Sequence, residues 1–184
     1  ELTLAFAKGR PVALNGSKIE AWQIIEKLNA IAGAHGVGRV DLVENRRVGM
    51  KSRGLYETPG GTVVVEALRA IEELVLDRET RHYREHLGLT FAELVYDGRW
   101  FTPLREALWA CGEKIAERLD GEIVVRLFKG TATAVKRKSP NSLYAEKMVS
   151  FEGEEIYSHK DAGGFIKLLS LPERIRALKA HGGA

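Results

Sequence analysis

Leu2, Leu4 and Phe6 are apolar and alternate with Thr3, Ala5 and Ala7, the period of a half-buried strand. Gly9-Arg10-Pro11 turns the chain and Val12–Leu14 returns, so a hairpin is predicted before Asn15-Gly16. The period then lengthens. Apolar residues at 21, 24, 25, 28, 31 and 32 make one helical stripe, with Ser17 as its N-cap and Glu20 completing a capping box. Gly33 to Gly38 ends that helix, and Val40 and Leu42 begin a strand that runs into a charged segment. Thr58-Pro59 is an N-cap and first-turn pair opening a second helix, striped at 64, 67, 68, 71, 74 and 75. A helical region over 78–97 is predicted to break at Gly88 and be recapped by Thr90. Thr102-Pro103 starts another helix, with its stripe at 104, 108, 111, 115 and 119. Ile123, Val125 and Leu127 alternate, Gly130 turns the chain, and Thr131–Arg137 completes a second hairpin.

Strands and helices that do not repeat as β-α units predict an α+β fold: β-hairpins and a mixed sheet packed with helices, ending in a C-terminal helical arm. The expected division is a domain over 1–160 and an arm over 161–184. In the arm, Leu168, Leu171, Ile175 and Leu178 are spaced like a short coiled-coil seam. About two heptads do not hold a coil alone in water, so the stripe must dock, either on its own subunit or on another. Pro172 interrupts the pattern, and Ser170 with Glu173 reads as a capping box, so a kink or a restarted helix is expected there.

Composition narrows the function classes. The 184 residues are 45% hydrophobic and 29% charged, ordinary for a globular protein. The formal charge of +3 is too small and too dispersed for a nucleic-acid footprint. No apolar stretch approaches the roughly 20 residues of a membrane span. The single Cys111 fits a reducing compartment, and no leader peptide is visible, so a cytoplasmic protein is expected. Cys111 falls on an apolar stripe and reads as core. His82 and His86 are four apart but lack further metal ligands at suitable spacing, so no metal site is expected. Gly36-Val37-Gly38 is a helix stop, and Lys136-Arg137-Lys138 is a solvated turn before Ser139-Pro140. Glu1 opens directly on a strand without a methionine, as expected of a piece of a longer protein.

The segment from Val43 to Gly61 is where chemistry concentrates. It gathers Glu44, Arg46, Arg47, Lys51, Arg53 and Glu57 around several glycines and Tyr56, with no helical or strand repeat to explain them. Charges of both signs at this density suit a small zwitterion. Glu44 can hold an α-ammonium group, or it can simply pair with Arg46 or Arg53. Tyr56 can donate and accept. Arg46, Lys51 and Arg53 can neutralise a phosphate or brace the loop against Glu44 and Glu57, and bracing is the favoured reading. The N–H groups at Thr58-Pro59-Gly60-Gly61 are a weak anion-site signal.

The same segment resembles one family. Gly36–Arg46 (GVGRVDLVENR), Val48–Gly54 (VGMKSRG) and Tyr56–Thr62 (YETPGGT) are similar to the signature of the argininosuccinate synthases. Leu76–Glu79 (LDRE), Phe91–Tyr96 (FAELVY), Ser142–Tyr144 (SLY), Asp161-Ala162 and Gly164–Ile166 (GFI) follow in the family's order. The resemblance covers essentially the whole chain, but only the second half of the family's polypeptide. The Ser-Gly-Gly-Leu-Asp-Thr-Ser phosphate loop that opens such enzymes is not in this sequence. Arg47 stands where the family usually carries an aromatic residue.

The resemblance implies an ATP-dependent ligase that joins citrulline and aspartate into argininosuccinate and releases AMP and pyrophosphate. It implies Glu44 and Tyr56 as citrulline contacts, Mg-ATP bound mainly outside this chain, and a homotetramer built through the C-terminal arm. On that reading the chain alone is inactive. A stand-alone amino-acid-binding or oligomerisation module is the alternative. Nucleic-acid binding through residues 46–53 is opposed by Glu44 and Glu57 within the cluster.

Overall fold

The alternating apolar residues near both ends of the larger unit meet in one sheet. In the computed structural model, which describes residues 1–145 and 158–182, the chain divides into two compact units, Glu1–Tyr144 and Ala145–Ala184. In the first, β1 (Leu2–Ala7), β2 (Arg10–Leu14), β3 (Ser17–Lys18), β6 (Gly121–Phe128) and β7 (Thr131–Lys138) form a five-stranded sheet in the order β3-β2-β1-β6-β7. The class is α+β as expected, but every described pairing is antiparallel and the sheet is not mixed. Tight turns join β1 to β2, β2 to β3 and β6 to β7. Each places two left-handed residues at its tip (Lys8-Gly9, Asn15-Gly16, Lys129-Gly130), which matches the twist of the strands they join.

Leu4 pairs with Ile123 and Leu2 with Val125, so the inward faces of β1 and β6 make one apolar layer. Helix α1 (Ala21–Ala34) covers β2 through Ile24, Leu28 and Ala32. Helix α2 (Pro59–Val75) covers β6 and β7 through Val63, Ala67, Ala70, Ile71 and Val75. These residues close a single core.

Three local readings are corrected. Ser17 lies in the short strand β3, and the first helix begins at Ala21 with Glu20 as its N-cap, whose N–H donates to Gln23 Oε1 at 3.1 Å. Asn15-Gly16 leaves the chain extended for two more residues, which moves the cap downstream. Gly88 does not interrupt the third helix. α3 runs unbroken over Arg78–Tyr96, with Asp77 as its cap, and Thr90 donates to the His86 carbonyl within it. Cys111 is half-buried on α4 (Pro103–Ala116), not in the core. α3 and α4 bury no residue fully and are joined by Phe91, which packs on Trp100 and Trp109 at centroid distances of 6.2 and 6.0 Å.

The second unit holds α5 (His159–Leu169) and α6 (Leu171–Ala180), so the helix restarts at Pro172 instead of bending through it. The Ser170 side chain makes no capping bond to α6; its hydroxyl turns back to the Lys167 carbonyl. Leu168, Leu171, Ile175 and Leu178 are exposed. None of the described helices is long and apolar enough to cross a membrane.

Candidate functional site

The charged segment is a β-ribbon. Strands β4 (Arg39–Asn45) and β5 (Lys51–Glu57) pair over seven positions, from Arg39 with Glu57 to Asn45 with Lys51. Glycine and charge weigh against strand in β5, which is why its sequence shows no repeat. The alternation of strand side chains divides the candidates between two faces.

One face carries Val40, Leu42 and Glu44 opposite Tyr56, Gly54 and Ser52. There the Tyr56 hydroxyl donates to Glu44 Oε1, and Arg46 Nη1 donates to Glu44 Oε2 at 3.0 Å. The Glu44 side chain is only 14% exposed, so these contacts act with little screening by water. Arg46 also reaches the Tyr96 hydroxyl at the end of α3, at 3.4 Å. That phenol, and then the Glu44 carboxylate, raise the Arg46 guanidinium above its ordinary range. The group is therefore a fixed positive charge.

The opposite face carries Lys51 and Arg53. Lys51 Nζ donates to Asn45 Oδ1 at 2.7 Å, while Arg53 forks onto Asp41 with bonds of 2.8 and 2.6 Å. This fork holds the Asp41 carboxyl below its usual range. Arg39 pairs with Glu57 at 3.1 Å on the same side. Of the residues singled out in the sequence, the fold thus brings Glu44, Tyr56 and Arg46 together and turns Lys51 and Arg53 away.

Arg47 pairs with Asp97, whose side chain is 14% exposed. Arg46 and Arg47 at the ribbon tip therefore meet Tyr96 and Asp97 at the end of α3. Sequence reasoning gave neither of those two residues a role. Tyr96 closes the FAELVY match, which is the one signal that pointed to it. At the root, the Thr58 N–H donates to the Gly38 carbonyl at 2.9 Å, and Gly60 N–H donates to Asn29 Oδ1 at 2.9 Å. One donor of the proposed anion site is thereby used for helix packing. His82 and His86 are exposed on α3, and Lys136–Lys138 belong to β7, where Arg137 lies 3.5 Å from Glu73.

A separate open cleft of about 920 Å³ lies between the β1–β2 turn, α2, α3 and α4. Glu72 and Arg84 stand on its wall beside Leu87, Phe91 and Trp109. Glu72 Oε1 is 2.8 Å from Arg84 Nε but off the line of its N–H, and it accepts no hydrogen bond among the described residues. Burial pushes the Glu72 carboxyl up, against the pull of Arg84.

With this geometry in place, comparison with known proteins is decisive. Residues 1–176 match the family described as the arginosuccinate synthase C-terminal domain. An argininosuccinate synthase of Erwinia tasmaniensis is 56% identical over 178 residues, which are 97% of this chain and 44% of the relative. One of Aeromonas salmonicida is 58% identical over 176 residues, 96% of this chain and 43% of the relative. One of Shewanella oneidensis is 56% identical over 179 residues, 97% and 44% respectively. The chain spans less than half the length of these relatives. At this identity, and with the family's match running through the ribbon and both of its flanking helices, the chain belongs to the argininosuccinate synthase family, of which it carries the C-terminal domain.

Proposed function

We propose that this domain supplies the citrulline side of an ATP-dependent ligase of arginine biosynthesis, which joins citrulline and aspartate into argininosuccinate with release of AMP and pyrophosphate. The observation that carries the reading is the joining of Glu44, Tyr56 and Arg46 on one face of the ribbon. A carboxylate offers about four lone-pair positions, and here Tyr56 and Arg46 occupy one on each oxygen. The remaining positions suit an α-ammonium group, with the Tyr56 phenol beside it for a further polar atom of the amino acid. A ligase of this kind works by holding reactants in line and stabilising developing charge, so it needs no side-chain nucleophile.

Lys51 and Arg53 serve as braces in this reading, because each already has a partner on the far face. Mg-ATP and most contacts to aspartate fall to sequence that this chain does not share with its relatives, and the 184 residues form no product alone. The exposed Leu168, Leu171, Ile175 and Leu178 are the surface for a homotetramer, and the enzyme works in the cytoplasm.

The test joins this chain to the N-terminal part of the Aeromonas salmonicida relative and measures argininosuccinate formation. Glu44→Gln should raise the citrulline KM by about tenfold or more, since a hydrogen bond to a charged group contributes roughly 1.5–3 kcal/mol. Unchanged KM and turnover would remove Glu44 from the site. Absence of product from a well-folded chimaera would favour a binding module instead.

A further inference from the structure

Glu44 and Tyr56 touch, yet they are not partners in the ribbon. The register pairs Glu44 with Ser52 and Tyr56 with Val40. Ser52 and Tyr56 are separated by roughly 13 Å of strand, at about 3.3 Å per residue. The Tyr56 ring must therefore lean back along β5 to deliver its hydroxyl to Glu44. Between them, on the same face, stands Gly54, paired with Leu42.

A Cβ on Gly54 would lie 2.4 Å from Tyr56 Cε2 and 2.8 Å from Glu44 Oε1. Both distances are shorter than carbon can tolerate against ring carbon or carboxylate oxygen. The atoms struck belong to the two side chains of the pair, and both can move aside. A side chain at this position would thus displace the pair while sparing the backbone. The backbone itself does not call for glycine: Gly54 is not among the residues with positive φ, unlike Gly49 in the same ribbon. Strand preference alone would favour a residue with a Cβ here.

We infer that Gly54 is a positioning residue for the amino-acid site, the bare seat across which Tyr56 reaches Glu44. The inference rests on the reading of Glu44 and Tyr56 as substrate contacts. It assigns Gly54 no contact with substrate. Its effect passes through the tyrosine ring and the Glu44 carboxylate, so a larger side chain at 54 acts as a partial loss of the Tyr56–Glu44 hydrogen bond.

The experiment uses the same completed chain and compares Gly54→Ala, Tyr56→Phe, the double variant and Glu44→Gln. Gly54→Ala should raise the citrulline KM by about tenfold, the scale of one hydrogen bond to a charged group. The KM values for aspartate and ATP, and the Tm, should stay at those of the parent. In the Tyr56→Phe background, Gly54→Ala should add less than it does in the parent, because a ring without its hydroxyl is free to swing aside and only the push on Glu44 remains. Two outcomes overturn the inference: an unchanged citrulline KM in Gly54→Ala, or a loss in KM or Tm that is equal in both backgrounds. If Glu44→Gln also leaves the KM unchanged, the site reading itself falls. If Glu44→Gln raises it and Gly54→Ala does not, only the role of Gly54 falls.

Discussion

Gly60 and Gly61 are adjacent in the first turn of α2, and alanine should have opposite effects at the two positions. At Gly60 an added Cβ would lie 2.7 Å from Asn29 Oδ1, 2.8 Å from the Ile25 carbonyl oxygen and 3.2 Å from the Asn29 N. Ile25 and Asn29 are four apart, so the methyl group would enter a backbone hydrogen bond of α1, which cannot rotate away. It would also disturb the 2.9 Å bond from Gly60 N–H to Asn29 Oδ1. Overpacking of this kind costs about 1–3 kcal/mol, and the bond about 1 kcal/mol more. Alanine's better helix propensity returns about 0.5–1 kcal/mol. The net loss is about 1–3.5 kcal/mol, or on the order of 3–14 °C in Tm for a unit of this size. At Gly61 the nearest atom to the new Cβ is Thr58 Cβ at 4.0 Å, an ordinary contact. Gly61→Ala should therefore gain up to about 1 kcal/mol from the unfolded state's lost freedom. Thermal and denaturant unfolding followed by circular dichroism measures both variants. A Gly60→Ala protein that melts with or above the parent, or together with Gly61→Ala, would refute the close packing of α1 on α2.

Two further perturbations probe the charged groups. Burial raises the folded Glu72 carboxyl above its ordinary value, so the stability it allows is fully present below the unfolded pKa and is lost as pH rises through the folded one. Glu72→Gln should match the parent in acid and become progressively more stable than it from the ordinary carboxylate range upward. An offset that does not change with pH would contradict this. Tyr96→Phe removes the phenol 3.4 Å from Arg46 Nη1 and should raise the citrulline KM of the completed chain about two- to threefold, for a weak hydrogen bond of about 0.5 kcal/mol. The Tm should be unaffected, and an unchanged KM would show that Arg46 holds Glu44 unaided.

The core was legible in the sequence because its residues are local and periodic. Leu2, Leu4 and Phe6 end in one buried cluster with Ile24, Leu28 and Ala32 from the stripe of α1 and Ala67, Ile71 and Val75 from that of α2. Ser17 misled because a hydroxyl followed by Glu20 is a valid cap signal, and only the β3 pairing of Ser17 with Leu14 outranks it. Gly88 misled for a related reason. A glycine inside a helix costs only about 1 kcal/mol, too little to interrupt a helix of 19 residues capped by Asp77. The site was legible in composition and not in geometry. Glu44, Arg46 and Tyr56 stood out by type, whereas the ribbon that sorts them from Lys51 and Arg53 depends on a register that only cross-strand pairing sets. Tyr96 and Asp97 lie about fifty positions away, beyond the reach of any local pattern.

That ribbon also shows where the order of the site comes from. A two-stranded hairpin is marginal by itself in water, and this one leaves Val43, Val48, Met50 and Leu55 exposed. Its surface ion pairs contribute little, because Arg53 and Asp41 are each more than half exposed. Its shape is instead imposed from both ends. At the root, Thr58 N–H bonds the Gly38 carbonyl, and Gly38 lies so close that a Cβ would meet Thr58 C at 2.6 Å. At the tip, Arg46 and Arg47 are tied to Tyr96 and Asp97. The root depends on α1 and α2, the tip on α3, and Glu44 sits between them. A change that loosens either end should therefore shift Glu44 without touching it, and the effect of Gly60→Ala on citrulline KM should exceed what its distance from the carboxylate alone would suggest.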